Sequence, residues 1–403
     1  MLSIVTVILV LIVLIFLLIT LMFYNKSYTE HMVNIKAPTK EISWSTDSKC
    51  GYEMTQVYLD ILKEYNIKQN NKDWTIYFPC TYNDADTEIK KVKPVKPDQR
   101  VFIVSNTDEI SSKSDLWKNI LKKYGRDIAL TISPKTYVLY DDLDLELFKK
   151  EYDPKKIYIM KKNIQRQEGI KITNNKDEIL KGFSDQYVVA QELLSDPYLI
   201  RDRKTNMRFY LLLVCQNNEV SAYVHNDGFM YYTKVPFIKN SKEFAPNVTT
   251  GYIERWIYKV NPLTHSDFRN YLDDHNRELV LSEKELIKNN TNNQKISENT
   301  NNQKISNVVF SRIYELLKKV VIAVQHTVCQ GTHLQNNITF QLFGVDIAVS
   351  DSLEPKIIEI NIGPNLGTHD GRDSEIKHTI VRDIFKVLKI VPDTNSHNFI
   401  QLL

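Results

Sequence analysis

Three oxygen-bearing side chains near the carboxyl end of the chain, Asp346, Glu359 and Asn361, could together bind a cation. Two carboxylates and one amide oxygen, without a nearby His or Cys, suit Mg²⁺ or Mn²⁺ better than zinc. Carboxylates that face each other across a strand pair repel, and on a partly buried face a cation would relieve that repulsion. The alternative is an edge hairpin with a solvated polar face, and the spacing alone leaves both interpretations open.

The stretch 340–364 must position these side chains. Its apolar residues alternate with other residues on both sides of a polar turn at 350–355, which predicts two antiparallel β-strands. If the hairpin is centred on Ser352 and Leu353, the two carboxylates lie opposite each other and the asparagine shares their face. The apolar side chains of both strands then coincide on the other face.

Two strings in this stretch, FQLFGVDI and IIEINIGP, resemble the carboxyl-terminal motifs of the tubulin–tyrosine ligase family, a branch of the ATP-grasp fold. In that family the corresponding aspartate, glutamate and asparagine hold magnesium ions on the ATP phosphates. The resemblance implies this metal role for Asp346, Glu359 and Asn361. It also implies an α/β protein with two α+β lobes that grip ATP, and the cofactors ATP and Mg²⁺, with Mn²⁺ as a possible substitute.

The resemblance extends to the residues that would contact nucleotide and substrate. Lys161 ends the segment IYIMK, where the family has a phosphate-binding lysine, and RKTNMRFY resembles a family string that contacts the reacting groups. The resemblance implies catalytic roles for Lys204 and Arg208. The nucleotide-binding residues that it implies are Lys161, Arg166, Gln191, Glu192, Leu193, Leu194, Lys204, Asn206 and Thr249.

Three of the departures from the family pattern bear on whether the site is active. The loop 162–168 contains no glycine, whereas the family has several there, whose backbone N–H groups approach phosphate. The Arg166 side chain could replace those contacts. Asn206 stands in the place of an aspartate, and Tyr231 in the place of an arginine that ends a family hairpin.

The amino-terminal end reads as a membrane anchor. Residues 4–23 contain only Thr6 and Thr20 as polar members, and an apolar run of this length spans a bilayer as a helix. No basic residue precedes the run and no small-residue cleavage site follows it, unlike a signal peptide. The first basic residues follow the run, which predicts a single-pass protein whose catalytic part lies in the cytosol.

Composition bounds the remaining possibilities. A net charge of +3 over 403 residues is too small to indicate nucleic acid binding, and 42% hydrophobic residues support a sizeable core. The scattered cysteines form no ligand pair, which predicts reduced thiols in the cytosol. They are Cys50, Cys80, Cys215 and Cys329.

We expect five consecutive segments, the last of which contains a disordered Asn-rich insert at 286–306 where NTNNQKIS occurs twice. The segments are a transmembrane anchor (1–24), a tether (25–45), an N-terminal α/β domain (46–140), a central ATP-grasp lobe (141–225) and a C-terminal ATP-grasp lobe (226–403).

The resemblance implies an ATP-dependent carboxylate–amine ligase that adds tyrosine, glutamate or glycine to a protein tail through an acyl phosphate. Its partners would be tubulin or another protein with an acidic tail, a free amino acid, and a membrane contacted through residues 4–23. The alternative is a membrane-anchored pseudoenzyme that binds nucleotide or a protein tail without catalysis. The departures from the pattern favour the pseudoenzyme, and the complete set of Asp346, Glu359 and Asn361 favours the ligase.

Overall fold

The computed structural model describes residues 33–275, 304–391 and 396–403, except for 34, 39–40, 48, 51–53, 83, 95, 165–168 and 252. The predicted transmembrane segment, most of the Asn-rich insert and Arg166 lie outside the described residues. No helix within the described ranges is long and apolar enough to cross a membrane. The anchor and the cytosolic location stay predictions.

Two β-sheets form the framework. The smaller sheet has the strand order β5-β8-β6-β7 and consists of β5 (Thr136–Val138), β6 (Tyr158–Lys161), β7 (Ile170–Thr173) and β8 (Val189–Glu192). The larger sheet consists of β1 (Ser43–Thr46), β2 (Lys68–Gln69), β3 (Ile76–Phe78), β4 (Arg100–Val101), β9 (Leu199–Ile200), β10 (Arg203–Gln216), β11 (Glu219–His225), β12 (Phe229–Thr233), β13 (Thr249–Thr250), β14 (Ile338–Val349), β15 (Pro355–Ile362) and β16 (Phe399–Gln401).

Helices cover these sheets and leave a cleft between them. α4 and α8 pack on each other and on β15, and α9 packs on α1. The helices are α1 (Gln56–Glu64), α2 (Ala85–Lys91), α3 (Asp108–Ser111), α4 (Lys113–Ile132), α5 (Asp142–Glu151), α6 (Lys176–Leu180), α7 (His265–His275), α8 (Ile305–Val324) and α9 (Gly371–Val387), with 3₁₀ turns at Gly182–Asp185 and Arg255–Lys259.

The centre of the larger sheet is the antiparallel pair of β10 and β14, whose register runs from Asn206 opposite Ala348 to Cys215 opposite Thr339. The run 209–214 in β10 is apolar throughout and buried throughout, as expected for a strand that is covered on both faces. β10 and β11 were predicted within the central lobe, but they pair into the larger sheet. The last strand of the smaller sheet therefore ends at Glu192.

The segment predicted as a tether belongs to the folded core from Val33 onward. Val33 and Ile35 are buried against the main core, and Val33 N–H donates a hydrogen bond to Ser221 Oγ. The fully buried Arg100 also bonds this segment, because its guanidinium donates to the carbonyl oxygen of Lys36. Two alternating apolar side chains are enough to attach the segment, which a polar composition alone does not reveal.

The predicted insert also ends earlier than expected, because α8 begins at Ile305. Ile305 and Ser306 are buried, and Asp273 accepts hydrogen bonds from both the N–H and the hydroxyl of Ser306 at 2.9 Å. This contact attaches the start of α8 to α7.

The prediction of scattered, reduced cysteines is wrong in this structure. Cys50 is bonded to Cys80, and Cys215 in β10 is bonded to Cys329 beyond α8. The two pairs are separated by 30 and 114 residues in sequence, so the spacing gave no sign of them. Disulfides of this kind are more typical of oxidising compartments than of the cytosol.

Candidate nucleotide and metal site

A cleft lies between the smaller sheet and strands β10, β14 and β15. The predicted site residues that line it are Lys161, Gln191, Glu192, Leu193, Leu194, Lys204, Asn206, Thr249, Asp346 and Glu359. Arg208 and Asn361 adjoin it through hydrogen bonds to two of these residues, and Arg166 lies outside the described residues.

The β14–β15 hairpin carries the three predicted oxygen ligands on one face. Asp346 lies directly opposite Glu359, as the alternation predicted, and Asn361 Nδ2 donates to Glu359 Oε1 at 3.1 Å. Immediately beyond this pair the register shifts, because Ile347 pairs with Ile357 and leaves Ile358 in a bulge. Bulges often occur next to functional sites because they redirect the chain.

Arg208 forms a bidentate ion pair with Asp346, with Nε–Oδ1 and Nη2–Oδ2 distances of 2.6 and 3.0 Å. Burial raises the pKa of the Asp346 carboxyl, and the Arg208 guanidinium opposes that rise. Burial also acts to raise the pKa of Glu359, but the nearby ammonium groups of Lys113 and Lys161 outweigh it and the pKa is lowered. The two carboxylates thus experience different surroundings.

Lys161 ends β6, and its ammonium lies 2.8 Å from Gln191 Oε1 and 3.3 Å from the carbonyl oxygen of the bulged residue Ile358. Gln191 is itself fixed, since its Nε2 donates to Thr136 Oγ1 and Ser133 Oγ. The Gln191 side chain therefore orients the lysine, rather than being available to read a base. Burial lowers the pKa of Lys161 to about 8.

Lys204 and Asn206, which both line the cleft, each carry a polar group that lacks a partner among the described residues. Within the described ranges, no carboxylate lies within ion-pair distance of the Lys204 ammonium, which is 5% exposed and whose pKa is lowered to about 8 by burial and by the charge of Lys161. Asn206 Oδ1 is buried without a hydrogen-bond partner. Because buried polar groups are normally satisfied, both indicate a polar ligand. Unpaired positive charge and a free amide oxygen fit a nucleotide phosphate chain with its metal ion.

The donor set agrees with a hard cation. Within the described ranges, no group of three or more His, Cys, Asp or Glu side chains could hold a metal ion. Asp346, Glu359 and Asn361 instead offer carboxylate and amide oxygens, which suit Mg²⁺ or Mn²⁺.

Gly228 and Tyr231 shape the surroundings of Arg208. A Cβ atom at Gly228 would lie 2.2 Å from the carbonyl oxygen of Arg208 and 2.6 Å from the His265 ring, so only glycine permits this approach. The Arg208 guanidinium lies 5.0 Å from the centre of the Tyr231 ring, a cation–π distance. The tyrosine that replaces an arginine of the family pattern therefore packs on Arg208.

The sequence reasoning missed Lys113, the first residue of α4. Its ammonium lies 4.0 Å from Glu359 Oε2 and lines a smaller cavity beside Lys161 and Gln191. Nothing in the local sequence distinguishes Lys113 from a lysine at the start of any helix, where a solvated side chain is the usual case.

Comparison with known proteins agrees with the geometry of the hairpin. The model of the Tubulin-tyrosine ligase family matches residues 91–398. Similar proteins include a probable beta-tubulin polyglutamylase of Tetrahymena thermophila, which is 25% identical over 77% of this chain and 26% of that protein. Two others are the Mus musculus tubulin polyglutamylases TTLL6 and TTLL7, each 23% identical, over 85% and 76% of this chain and 40% and 33% of their own lengths.

This chain thus spans less than half the length of these relatives. The family match covers most of the chain, including the smaller sheet, strands β4 and β9–β15 of the larger sheet, and the hairpin with its three oxygen ligands. The chain belongs to the tubulin-tyrosine ligase family.

Proposed function

We propose that this chain is an ATP-dependent carboxylate–amine ligase that adds an amino acid to an acidic protein tail. The observation that carries the proposal is the convergence of Asp346, Glu359 and Asn361 with Lys161 and Lys204 in one cleft between two lobes. Family membership supports the same reaction class.

In this proposal the cleft binds Mg²⁺–ATP. Asp346, Glu359 and Asn361 hold the metal, whose charge offsets that of the phosphates. Lys161 and Lys204 contact the phosphate chain from the two opposing sheets. The N–H groups of Glu192 and Leu193 already donate to the carbonyl oxygens of Lys135 and Ile157. In this proposal the adenine base is therefore read by the N–H of Leu194 and by backbone carbonyl oxygens.

The proposed reaction has two steps. A carboxylate of the protein tail attacks the γ-phosphorus of ATP, which forms an acyl phosphate and releases ADP. The amine of the incoming amino acid then attacks the acyl carbon, phosphate leaves, and an amide remains. Lys204 and Arg208 lie where charge develops, and their contribution is positioning and electrostatic stabilisation.

The relatives are named as tubulin polyglutamylases, so we propose glutamate as the amino acid and the acidic tail of tubulin as the acceptor. Tyrosine and glycine are the alternative amino acids, and the test compares their incorporation with that of glutamate. The pseudoenzyme alternative rests on a specific observation, since Tyr231 covers an Arg208 that is already paired with Asp346.

The test is amino-acid incorporation. The full chain is incubated with Mg²⁺, ATP, tubulin or a glutamate-rich peptide, and either glutamate, tyrosine or glycine, and products are identified by mass spectrometry. We expect the acceptor to gain glutamyl residues, with one ADP and one phosphate released for each. If ATP binds but no acceptor gains mass with any amino acid, the pseudoenzyme alternative replaces the ligase.

A further inference from the structure

Lys113 lies between two parts of the proposed site. Its ammonium is 4.0 Å from Glu359 Oε2 on the hairpin, and it donates a hydrogen bond of 3.2 Å to the carbonyl oxygen of Ile164, in the loop after Lys161. The Lys113 side chain is only 12% exposed, so water screens this contact less than it screens an ordinary surface ion pair.

The backbone of the same residue is attached to the same loop. Lys113 N–H donates to Asn163 Oδ1, and Asn163 Nδ2 donates to Ser112 Oγ, both at 3.3 Å. Ser112 is the N-cap of α4, and its hydroxyl also accepts a hydrogen bond from the N–H of Asp115. The start of α4 and the start of the loop therefore form one hydrogen-bonded unit, from which the Lys113 side chain extends to the hairpin.

The Lys113 ammonium faces one oxygen of the Glu359 carboxylate. Glu359 Oε1 accepts from Asn361, and Oε2 faces the Lys113 ammonium, while the Asp346 carboxyl also interacts with this carboxylate. A metal-binding carboxylate that is oriented by a neighbouring group binds its metal better, and loss of such a neighbour typically costs 10–100-fold in affinity or activity.

We propose that Lys113 is a positioning residue of this site, which links the loop after Lys161 to Glu359 and holds that carboxylate ready for Mg²⁺. The inference rests on the proposed function, because it assumes that Glu359 binds the metal of Mg²⁺–ATP. Lys113 acts through Glu359 and the loop, and needs no contact with the reacting atoms.

The test is Mg²⁺-dependent nucleotide binding by the full chain, measured by calorimetry with a non-hydrolysable ATP analogue over a Mg²⁺ series. We expect Lys113→Met to need about 10–100-fold more Mg²⁺ for the same occupancy. Lys113→Arg keeps the charge and a donor, so it should need less Mg²⁺ than Lys113→Met for the same occupancy. Melting temperatures without nucleotide establish that both variants are folded.

Lys122→Met is the matched control, since it removes the same group from an exposed position of the same helix. It should bind as the wild type does. The inference is overturned if the folded Lys113→Met chain keeps the wild-type Mg²⁺ requirement, or if Lys113→Arg is as impaired as Lys113→Met. Absence of nucleotide binding by the wild-type chain would instead contradict the proposed function, so the two failures are distinguishable.

Discussion

Replacement of Arg208 by Met is expected to lower the free energy of unfolding by about 3 kcal/mol and to abolish ligation. The reason is the bidentate pair with Asp346, in which both side chains are nearly buried. Removal of the guanidinium leaves a buried carboxylate without its partner, and such a group is costly whether it stays charged or takes up a proton. Urea denaturation at pH 7 measures the loss.

A double variant distinguishes the effect of the ion pair on stability from its effect on nucleotide binding. Arg208→Met combined with Asp346→Asn removes both charges, so most of the lost stability should return, while nucleotide binding should not. A double variant that is no more stable than Arg208→Met would show that the ion pair is not the source of the effect. With the Asp346→Asn single variant as the fourth member of the cycle, the unfolding free energies of the four chains give the coupling energy of the pair.

Replacement of Lys204 by Met is expected to have opposite effects on stability and on binding. The pKa of Lys204 is lowered to about 8 because the ammonium is buried near Lys161. A shift from 10.5 to about 8 corresponds to a cost of roughly 3 kcal/mol for the charged form at pH 7. Lys204→Met should therefore be more stable than the wild type without nucleotide, and should bind ATP at least about tenfold more weakly.

The pH dependence provides the check. Between about pH 8 and pH 10.5 the unfolded chain keeps the Lys204 proton and the folded chain releases it, so wild-type stability rises with pH in this window. The Met variant lacks this contribution. The difference in unfolding free energy between Lys204→Met and the wild type should be greatest below pH 8 and should shrink toward pH 10.5. Urea denaturation at pH 7 and pH 10 measures this difference. A stability difference that is the same at pH 7 and pH 10 would contradict the lowered pKa of Lys204.

The hairpin shows which features of the site strand alternation could predict and which it could not. Strand alternation placed Asp346 opposite Glu359 because polar and apolar residues differ clearly on both strands there. The bulge was not predicted, since the alternation of Ile358, Ile360 and Ile362 placed Ile358 on the apolar face, and this placement of Ile358 is wrong. In the structure Ile357 is buried, and Ile358 directs its carbonyl oxygen to Lys161.

Contacts between distant parts of the chain account for most of what was missed. Nothing near Lys113 in the sequence indicates that its ammonium reaches Glu359, and nothing near Cys215 indicates Cys329. Local patterns report the face of a strand or helix, whereas the partner of a side chain depends on how the elements pack. The family motifs pointed to residues that line one cleft, because a motif records residues that the fold brings together.

The most direct test of the account is the affinity for an ATP analogue, measured by calorimetry with and without Mg²⁺ on the wild-type chain and on Glu359→Gln. The substitution keeps the size of the side chain but removes a charge from the face shared with Asp346 and Asn361. We predict that the wild-type chain binds the analogue in a Mg²⁺-dependent manner, and that Glu359→Gln melts at a similar temperature without nucleotide but loses that binding. Equal Mg²⁺-dependent affinity in the two chains would contradict the assignment of the metal site.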